Sequence, residues 1–297
     1  MKNGLYGVTL SCFTEAGKAD ELRFEKMLTL MAEKPLAGFV VNGSTGEFPY
    51  MGFQEAVVFL RISREQVRDR EMVAGICGPT ERDVLRLARH AYGIGYTDMI
   101  LCPPYYYPQK DSEILDFYRT VLSGLPNDVN LILYNIPFCA PRVSLPVVET
   151  LAEEDKRVQG IKDSSGDALN FAALCAISAR LGRDFSVFTG QDSMLLGALA
   201  AGAAGLMSTG SWLLSGIHEK IVSAFARSEW EEARRLQNLV TSVILSLDKV
   251  SFPENYRILA QVMGYDAGPF QRKFAFLDDE DALVAYEKQL YRMISGV

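Results

Sequence analysis

Residues 21–31 read ELRFEKMLTLM and stand between two short β-rich runs, Tyr6–Ser11 and Gly38–Asn42. Apolar residues recur in this stretch at positions i, i+3, i+4 and i+7, which is the spacing of one buried helix face. A helix that joins two strands predicts that the strands run parallel, because the crossover carries the chain back along the sheet.

The strand–helix unit repeats along most of the chain. Eight strands are predicted: Tyr6–Ser11, Gly38–Asn42, Met72–Ile76, Asp98–Leu101, Asn130–Asn135, Gln159–Lys162, Phe185–Phe188 and Gly205–Met207. This pattern favours an α/β fold of the closed kind, a (β/α)8 TIM barrel, in which the carboxyl ends of all strands meet at one face. An open doubly wound sheet is the alternative. That fold usually has a glycine fingerprint after its first strand, whereas residues 11–15 read SCFTE.

The last part of the chain shows only helical patterns. They cover Ile217–Ala226, Glu229–Leu247, Tyr256–Met263 and Glu280–Ile294. A chain of 297 residues is long enough for a barrel of roughly 200 to 250 residues with an appendage. We therefore predict a barrel over residues 1–224 and a C-terminal helical extension over residues 225–297.

The composition argues against several classes of protein. The net charge is −7 and lysine and arginine form no basic stripe, so nucleic acid is not an expected partner. No run approaches the roughly 18 apolar residues of a membrane span, and the first residues lack a secretory signal. The five cysteines are odd in number and widely spaced, which indicates reduced thiols and a cytoplasmic protein. With two histidines and no Cys-x-x-Cys, neither a structural zinc nor a metal-dependent aldolase is expected.

Two reactive side chains end neighbouring strands of the predicted barrel. Lys162 ends an apolar run within VQGIKDSSGD (158–167), and burial lowers the pKa of an amine toward the neutral form that attacks a ketone. Tyr134 ends the preceding strand within LILYNIP (131–137), and a phenol within hydrogen-bond reach moves protons for such chemistry. The structural alternatives are a lysine paired with Asp163 and a core tyrosine that bonds the backbone.

A glycine-rich turn, GSTGE (43–47), follows the second predicted strand. One interpretation is a tight turn whose glycines occupy positive-φ positions. The functional interpretation is that its successive backbone N–H groups form a nest for a carboxylate, and that the Thr45 hydroxyl relays protons.

These three motifs, in this order and spacing, closely resemble those of the dihydrodipicolinate synthase / N-acetylneuraminate lyase family. The resemblance runs from about Gly4 to the final helices. It implies a (β/α)8 barrel with a C-terminal helical extension, assembled as a homotetramer of two tight dimers. It also implies a class I lyase that needs no cofactor, because the substrate is activated as a Schiff base with the enzyme.

The resemblance assigns roles to single residues. Lys162 forms the Schiff base with a 2-keto acid, usually pyruvate, and Tyr134 is the proton shuttle. Ser44 and Thr45 hold the substrate carboxylate. In PYYY (104–107), Tyr106 matches the tyrosine that reaches into the neighbouring subunit's site, and an aromatic interface patch is a compatible structural interpretation.

Departures from the family pattern bear on the substrate. Dihydrodipicolinate synthases usually carry an arginine two residues after Tyr-Asn-x-Pro, where this chain has Cys139, although Arg142 lies close by. Sialic acid lyases tend to have an acidic pair after the seventh strand, where residues 190–193 read GQDS. The motif KDSSGD (162–167) resembles the corresponding motif of the 2-keto-3-deoxy sugar-acid aldolases more closely. The candidate substrate contacts are Ser164, Asp192, Met207 and Ser208. The alternative interpretation is that these residues belong to solvated turns at strand ends.

The sequence thus predicts a class I aldolase that makes or breaks a C–C bond next to a 2-keto acid, with pyruvate and a 2-keto-3-deoxy sugar acid as the substrates. Three alternatives stay open. They are a dihydrodipicolinate synthase using pyruvate and aspartate semialdehyde, a non-catalytic barrel that binds a keto acid, and a phosphate-binding barrel enzyme whose site would follow Ser208.

Overall fold

Eight parallel strands close into a barrel in the computed structural model, which describes residues 1–270 and 280–295. Each strand pairs with the next along the chain, and the last pairs with the first, so the open-sheet alternative is wrong. The strands are β1 Gly4–Val8, β2 Gly38–Val41, β3 Glu71–Gly75, β4 Asp98–Leu101, β5 Asn130–Asn135, β6 Val158–Asp163, β7 Ser186–Thr189 and β8 Gly205–Ser208. The prediction of a TIM barrel is confirmed.

Helices cross between successive strands and then continue beyond the barrel. The crossover helices are α1 Glu21–Ala32, α2 Phe53–Gln66, α3 Glu81–Gly93, α4 Asp111–Ser123, α5 Leu145–Glu154, α6 Ala168–Arg180 and α7 Leu195–Ala201. The helices after β8 are α8 Gly210–Leu213, α9 Ser215–Ala226, α10 Trp230–Leu247, α11 Glu254–Val262 and α12 Glu280–Ser295. Short 3₁₀ turns cover Phe48–Tyr50 and Asp192–Met194. The division at residues 224 and 225 stays a prediction, and it falls within α9.

The first helix illustrates why the crossovers form where they do. Asp20 caps α1 by accepting a hydrogen bond from the backbone N–H of Arg23 at 3.0 Å. The apolar residues at helical spacing are all buried, and they are Phe24, Met27, Leu28 and Met31. Burial of each such side chain stabilises the fold by about 1.5–3 kcal/mol. The periodicity of residues 21–31 therefore sets both the helix and the face that it turns to the barrel.

The barrel interior is filled below its carboxyl-end face. A cluster of inward side chains occupies this space, and it includes Tyr6, Val8, Val40, Val73, Ile100, Ile132, Tyr134, Phe188 and Met207. In the strand register Lys162 of β6 lies level with Tyr134 of β5 on one side and Phe188 of β7 on the other. Both predicted reactive groups consequently sit at the upper edge of the packed core.

The C-terminal helices pack against the side and the top of the barrel. Gln237 of α10, which is itself buried, connects them to the barrel through two hydrogen bonds. Its Oε1 accepts a hydrogen bond from the backbone N–H of Leu196 at 2.8 Å, and its Nε2 donates to the backbone carbonyl of Asp192 at 3.0 Å. Within residues 1–270 and 280–295, no helix is long and apolar enough to cross a membrane.

Candidate active site

A cavity of about 260 Å³ opens at the carboxyl-end face of the barrel. Strand ends and the turns after them form its floor, and α10, α11 and the loop before α11 form its roof. The predicted site residues that line it are Ser44, Thr45, Tyr134, Lys162, Ser164, Met207 and Ser208. Residues from turns far apart in the sequence therefore meet around one cavity, which is where barrel enzymes place their chemistry.

Lys162 is an almost fully buried amine on the cavity floor. Its side chain is 4% exposed, and its Nζ lies 4.4 Å from the ring centroid of Tyr134. Burial lowers the pKa of Lys162 to about 8, although the negative charge of Asp192 opposes this shift. The alternative of a pair with Asp163 finds no support, since that carboxylate accepts hydrogen bonds from Asn135 and Ser165. The neutral, nucleophilic form of this amine is thus reached at a lower pH than in an exposed lysine.

The hydroxyl of Tyr134 has side-chain partners rather than a backbone partner. It lies 2.8 Å from the Ser44 Oγ, and the Ser164 hydroxyl also interacts with it. Burial holds the pKa of Tyr134 well above its ordinary value, and the two serines only partly oppose this. The phenol therefore stays protonated over the working pH range, with hydroxyl groups beside it that can pass a proton on.

The turn over residues 43–47 is shaped by close packing rather than by positive-φ glycines. The left-handed residues are Asn42, with φ of 58°, and Glu47, with φ of 62°, so the expectation for the glycines is wrong. Gly43 is needed for another reason, because a Cβ there would lie 2.7 Å from the Val8 side chain. Ser44, which this packing places at the cavity, is itself buried.

A buried ion pair ties this turn to the C-terminal helices. The Nε of Arg257, in α11, donates to the Glu47 carboxylate at 2.8 Å, and the guanidinium is 1% exposed. Its other nitrogens donate to the carbonyls of Ala267 and Ser11 at 2.6 and 2.5 Å. Sequence reasoning missed this arginine. The one local signal is its position beside the apolar run Ile258–Ala260.

Asp192 does not line the cavity and lies one layer behind it. The Ser208 hydroxyl donates to its Oδ1 at 2.6 Å, and the Tyr256 hydroxyl donates to its Oδ2 at 3.0 Å. The Nε2 of His218, which is also buried, lies 3.4 Å from Oδ1. Asp192 therefore accepts hydrogen bonds from two hydroxyls of the cavity wall, and a direct contact with substrate stays a prediction.

The cavity is also lined by residues that sequence reasoning did not select. They are Phe138, Ile244, Leu247, Asp248, Phe252, Asn255 and Tyr256. Most of them belong to α10, α11 and the loop between these helices, where the sequence shows amphipathic patterns but no motif. Among the residues described, Lys162 is the only cation that lines the cavity, and His, Cys, Asp and Glu form no group of three that could hold a metal ion.

Three further predicted residues lie away from the cavity of their own chain. Tyr106 is 87% exposed with φ of 86°, so a role in a neighbouring subunit stays a prediction. Arg142 forms an exposed ion pair with Asp167 at 3.1 Å and does not line the cavity. Cys139, at the position of the family's arginine, is exposed and lines a smaller neighbouring cavity.

Comparison with known proteins agrees with this geometry. The model of the Dihydrodipicolinate synthetase family matches residues 1–290. A 2-dehydro-3-deoxy-D-gluconate/2-dehydro-3-deoxy-phosphogluconate aldolase from Picrophilus torridus is 31% identical over 72% of this chain and 78% of its own. An N-acetylneuraminate lyase from Rhizobium meliloti is 29% identical over 94% of this chain and 91% of its own.

A solved structure shows the same fold. A prophage protein of the dihydrodipicolinic acid synthase family from E. coli K12, in complex with pyruvate, superposes with a TM-score of 0.89 over 98% of both chains at 19% identity. The relatives named above are lyases, which confirms the prediction of an enzyme of the aldolase type. The chain belongs to the dihydrodipicolinate synthetase family.

Proposed function

We propose that this protein is a class I aldolase that joins Lys162 to pyruvate as an imine and cleaves or forms a 2-keto-3-deoxy sugar acid. The observation that carries the proposal is the buried amine of Lys162, with a depressed pKa, 4.4 Å from the ring of Tyr134 at the base of a cavity. Imine formation needs a neutral amine as the nucleophile and a proton donor for the departing oxygen, and Lys162 and Tyr134 are suited to these two tasks.

The reaction begins with attack of the Lys162 nitrogen on the keto carbon. The new C–N bond forms as the C=O π bond breaks, one proton passes from the nitrogen to the oxygen, and Tyr134 then donates the second proton with which this oxygen leaves as water. The turn that holds Ser44 and Thr45 binds the carboxylate and so presents the carbonyl to the amine, a proximity effect that contributes several kcal/mol. The product is a positively charged imine at Lys162.

Cleavage follows from that positive charge. Tyr134 takes the proton of the hydroxyl on the carbon that becomes the aldehyde, and the electrons of the breaking C–C bond move into the imine to leave a neutral enamine. Protonation of the enamine carbon and hydrolysis of the imine release pyruvate and regenerate the amine. Because the imine is the electron sink, the proposed mechanism needs no separate cofactor.

Two observations support a sugar acid over aspartate semialdehyde as the partner of pyruvate. The relative from Picrophilus torridus is named as an aldolase of 2-dehydro-3-deoxy acids. In addition, Arg142 is bound to Asp167, so neither it nor the thiol of Cys139 places a guanidinium at the cavity. We further propose a cytoplasmic homotetramer of two dimers, with Tyr106 completing the neighbouring subunit's site.

Trapping with borohydride tests the proposal and its pH dependence. The folded protein is mixed with pyruvate, samples are quenched with borohydride at timed intervals, and Lys162 is expected to carry an N-carboxyethyl group in the peptide mass spectrum. Because its pKa is about 8, the rate of labelling should rise roughly tenfold per pH unit below pH 8 and level off above it. An unlabelled Lys162 would exclude the proposal, and a rate that still climbs past pH 9 would contradict the depressed pKa.

The Tyr134→Phe variant tests the proton shuttle. Since it removes only the hydroxyl, we expect kcat to fall by about 10²–10³-fold with the fold retained, measured as pyruvate release in a coupled assay. Tyr96→Phe is the matched control, because that buried hydroxyl donates to the Leu60 carbonyl at 3.0 Å, away from the cavity. Equal activity of the two variants would show that Tyr134 moves no proton.

A further inference from the structure

The roof of the cavity carries a hydroxyl that the mechanism above does not use. Tyr256 lines the cavity, and its hydroxyl lies 3.0 Å from the Oδ2 of Asp192. An ionised carboxylate only accepts hydrogen bonds, so the single proton of the phenol points to Asp192. Burial and the Asp192 charge hold the pKa of Tyr256 well above its ordinary value, which keeps this proton in place. Toward the cavity, the phenol oxygen therefore offers only lone pairs.

Ser208, which the sequence suggested as a substrate contact, has little hydrogen-bonding capacity left. Its hydroxyl donates to Asp192 at 2.6 Å and accepts from the backbone N–H of Ser211 at 2.9 Å. The Ser211 Oγ is a further neighbour at 3.1 Å. Of the two hydroxyls that Asp192 orients, Tyr256 is thus the one free to meet a substrate.

The carboxylate that orients Tyr256 is itself fixed. Its residue is 1% exposed, and the Gln237 amide donates to its backbone carbonyl at 3.0 Å. Its Oδ1 packs so closely on Gly210 that a Cβ there would lie 2.1 Å away. These contacts hold the carboxylate where it accepts the phenol proton, on the side away from the cavity.

We propose that Tyr256, positioned by Asp192, determines specificity by accepting a hydrogen bond from a hydroxyl on the aldehyde-derived half of the substrate, and that it disfavours a phosphate there. An acceptor without a proton to give repels an anion, and Asp248 places a carboxylate on the cavity wall. Lys162, the one cation on the described wall, is occupied by the keto acid. This inference rests on the proposed function and specifies an unphosphorylated, hydroxyl-bearing acceptor.

A set of aldehydes tests the inference in the condensation direction with pyruvate. The set is glyceraldehyde, its two analogues that each lack one hydroxyl (lactaldehyde and 3-hydroxypropanal), and glyceraldehyde 3-phosphate. We expect the wild-type kcat/KM to drop about tenfold for one of the two analogues, because one hydrogen bond is lost. For glyceraldehyde, the kcat/KM of Tyr256→Phe should be about tenfold lower than that of the wild type. For the analogue that lacks the contacted hydroxyl, the two proteins should have almost the same kcat/KM.

The Asp192→Asn variant tests whether the phenol proton of Tyr256 is directed to residue 192 and away from the cavity. An amide at this position can donate to the phenol oxygen and so release the phenol proton toward the cavity. The ratio of kcat/KM for glyceraldehyde to kcat/KM for glyceraldehyde 3-phosphate should therefore be smaller in this variant than in the wild type. Tyr286→Phe is the control, since that hydroxyl donates to the Ser246 carbonyl at 2.6 Å and does not line the cavity.

The outcomes separate this inference from the proposed function. Wild-type protein that gains no label from pyruvate and borohydride refutes both. A labelled wild type whose ranking of the aldehydes is the same in Tyr256→Phe refutes the role of Tyr256 alone. Preference for the phosphorylated aldehyde in the wild type also overturns it.

Discussion

Lys162→Met is expected to lower turnover by at least about 10⁵-fold, the scale on which the loss of a covalent nucleophile is felt. Without the nitrogen no imine forms, so the electrons of the breaking C–C bond have no acceptor. The variant should nevertheless unfold at the same temperature as the wild type or above it. Methionine is similarly long and unbranched, and it removes the cost of keeping an amine in a site that is 4% exposed.

Two further variants separate the nucleophile from the charge. Lys162→Arg keeps a cation that does not deprotonate, so it should be as inactive as the methionine variant. Lys156→Met, at an exposed lysine after α5, should leave turnover unchanged. The measurements are pyruvate release from a 2-keto-3-deoxy acid and thermal unfolding. Turnover of Lys162→Arg within tenfold of the wild type would mean that another group attacks the substrate.

Arg257→Met should lower the free energy of unfolding by about 3–5 kcal/mol, because it removes a buried guanidinium that pairs with the carboxylate of Glu47. The carbonyls of Ser11 and Ala267 lose donors in the same variant. Glu47 is the last residue of the turn that we propose to bind the substrate carboxylate. We therefore also expect KM for pyruvate to rise. Urea unfolding measures the change in stability, and steady-state kinetics of the same variant measure KM.

Removing the charge of Glu47 as well should restore part of the free energy of unfolding that Arg257→Met loses. In the double variant Arg257→Met with Glu47→Gln both charges of this pair are removed, so unfolding should cost more free energy than in Arg257→Met alone. Arg227→Met removes an exposed pair with Glu229 instead, and we expect an unchanged unfolding midpoint. An Arg257→Met protein as stable as the Arg227→Met control would show that the buried pair does not hold the turn.

The strands could be predicted because each is marked locally. The end of β6, for example, is marked by a short apolar run followed by small and polar residues. The predicted strand is Gln159–Lys162 and the observed one is Val158–Asp163, so each end agrees within one residue. The proximity of Lys162 and Tyr134 could also be predicted. Strands that follow one another in the chain are neighbours in a barrel, so residues at corresponding positions of β5 and β6 lie side by side.

The role of Asp192 could not be predicted in the same way. A lone acid after β7 has the same local sequence whether it faces a substrate or supports a wall. What decides between the two is Tyr256, whose hydroxyl reaches Asp192 from 64 residues further along the chain. No periodicity or motif marks such a pair, because its two members belong to elements of different type.

The sequence by itself determined the barrel and the positions of Lys162 and Tyr134, since these depend on local patterns and on the order of the strands. Only the tertiary structure decided how the cavity is closed and what its roof can recognise. The contact of Glu47 with Arg257 joins positions 210 residues apart. Contacts of this kind exist only once the C-terminal helices have packed on the barrel, so their effect on the site depends on burial and geometry that no stretch of sequence contains.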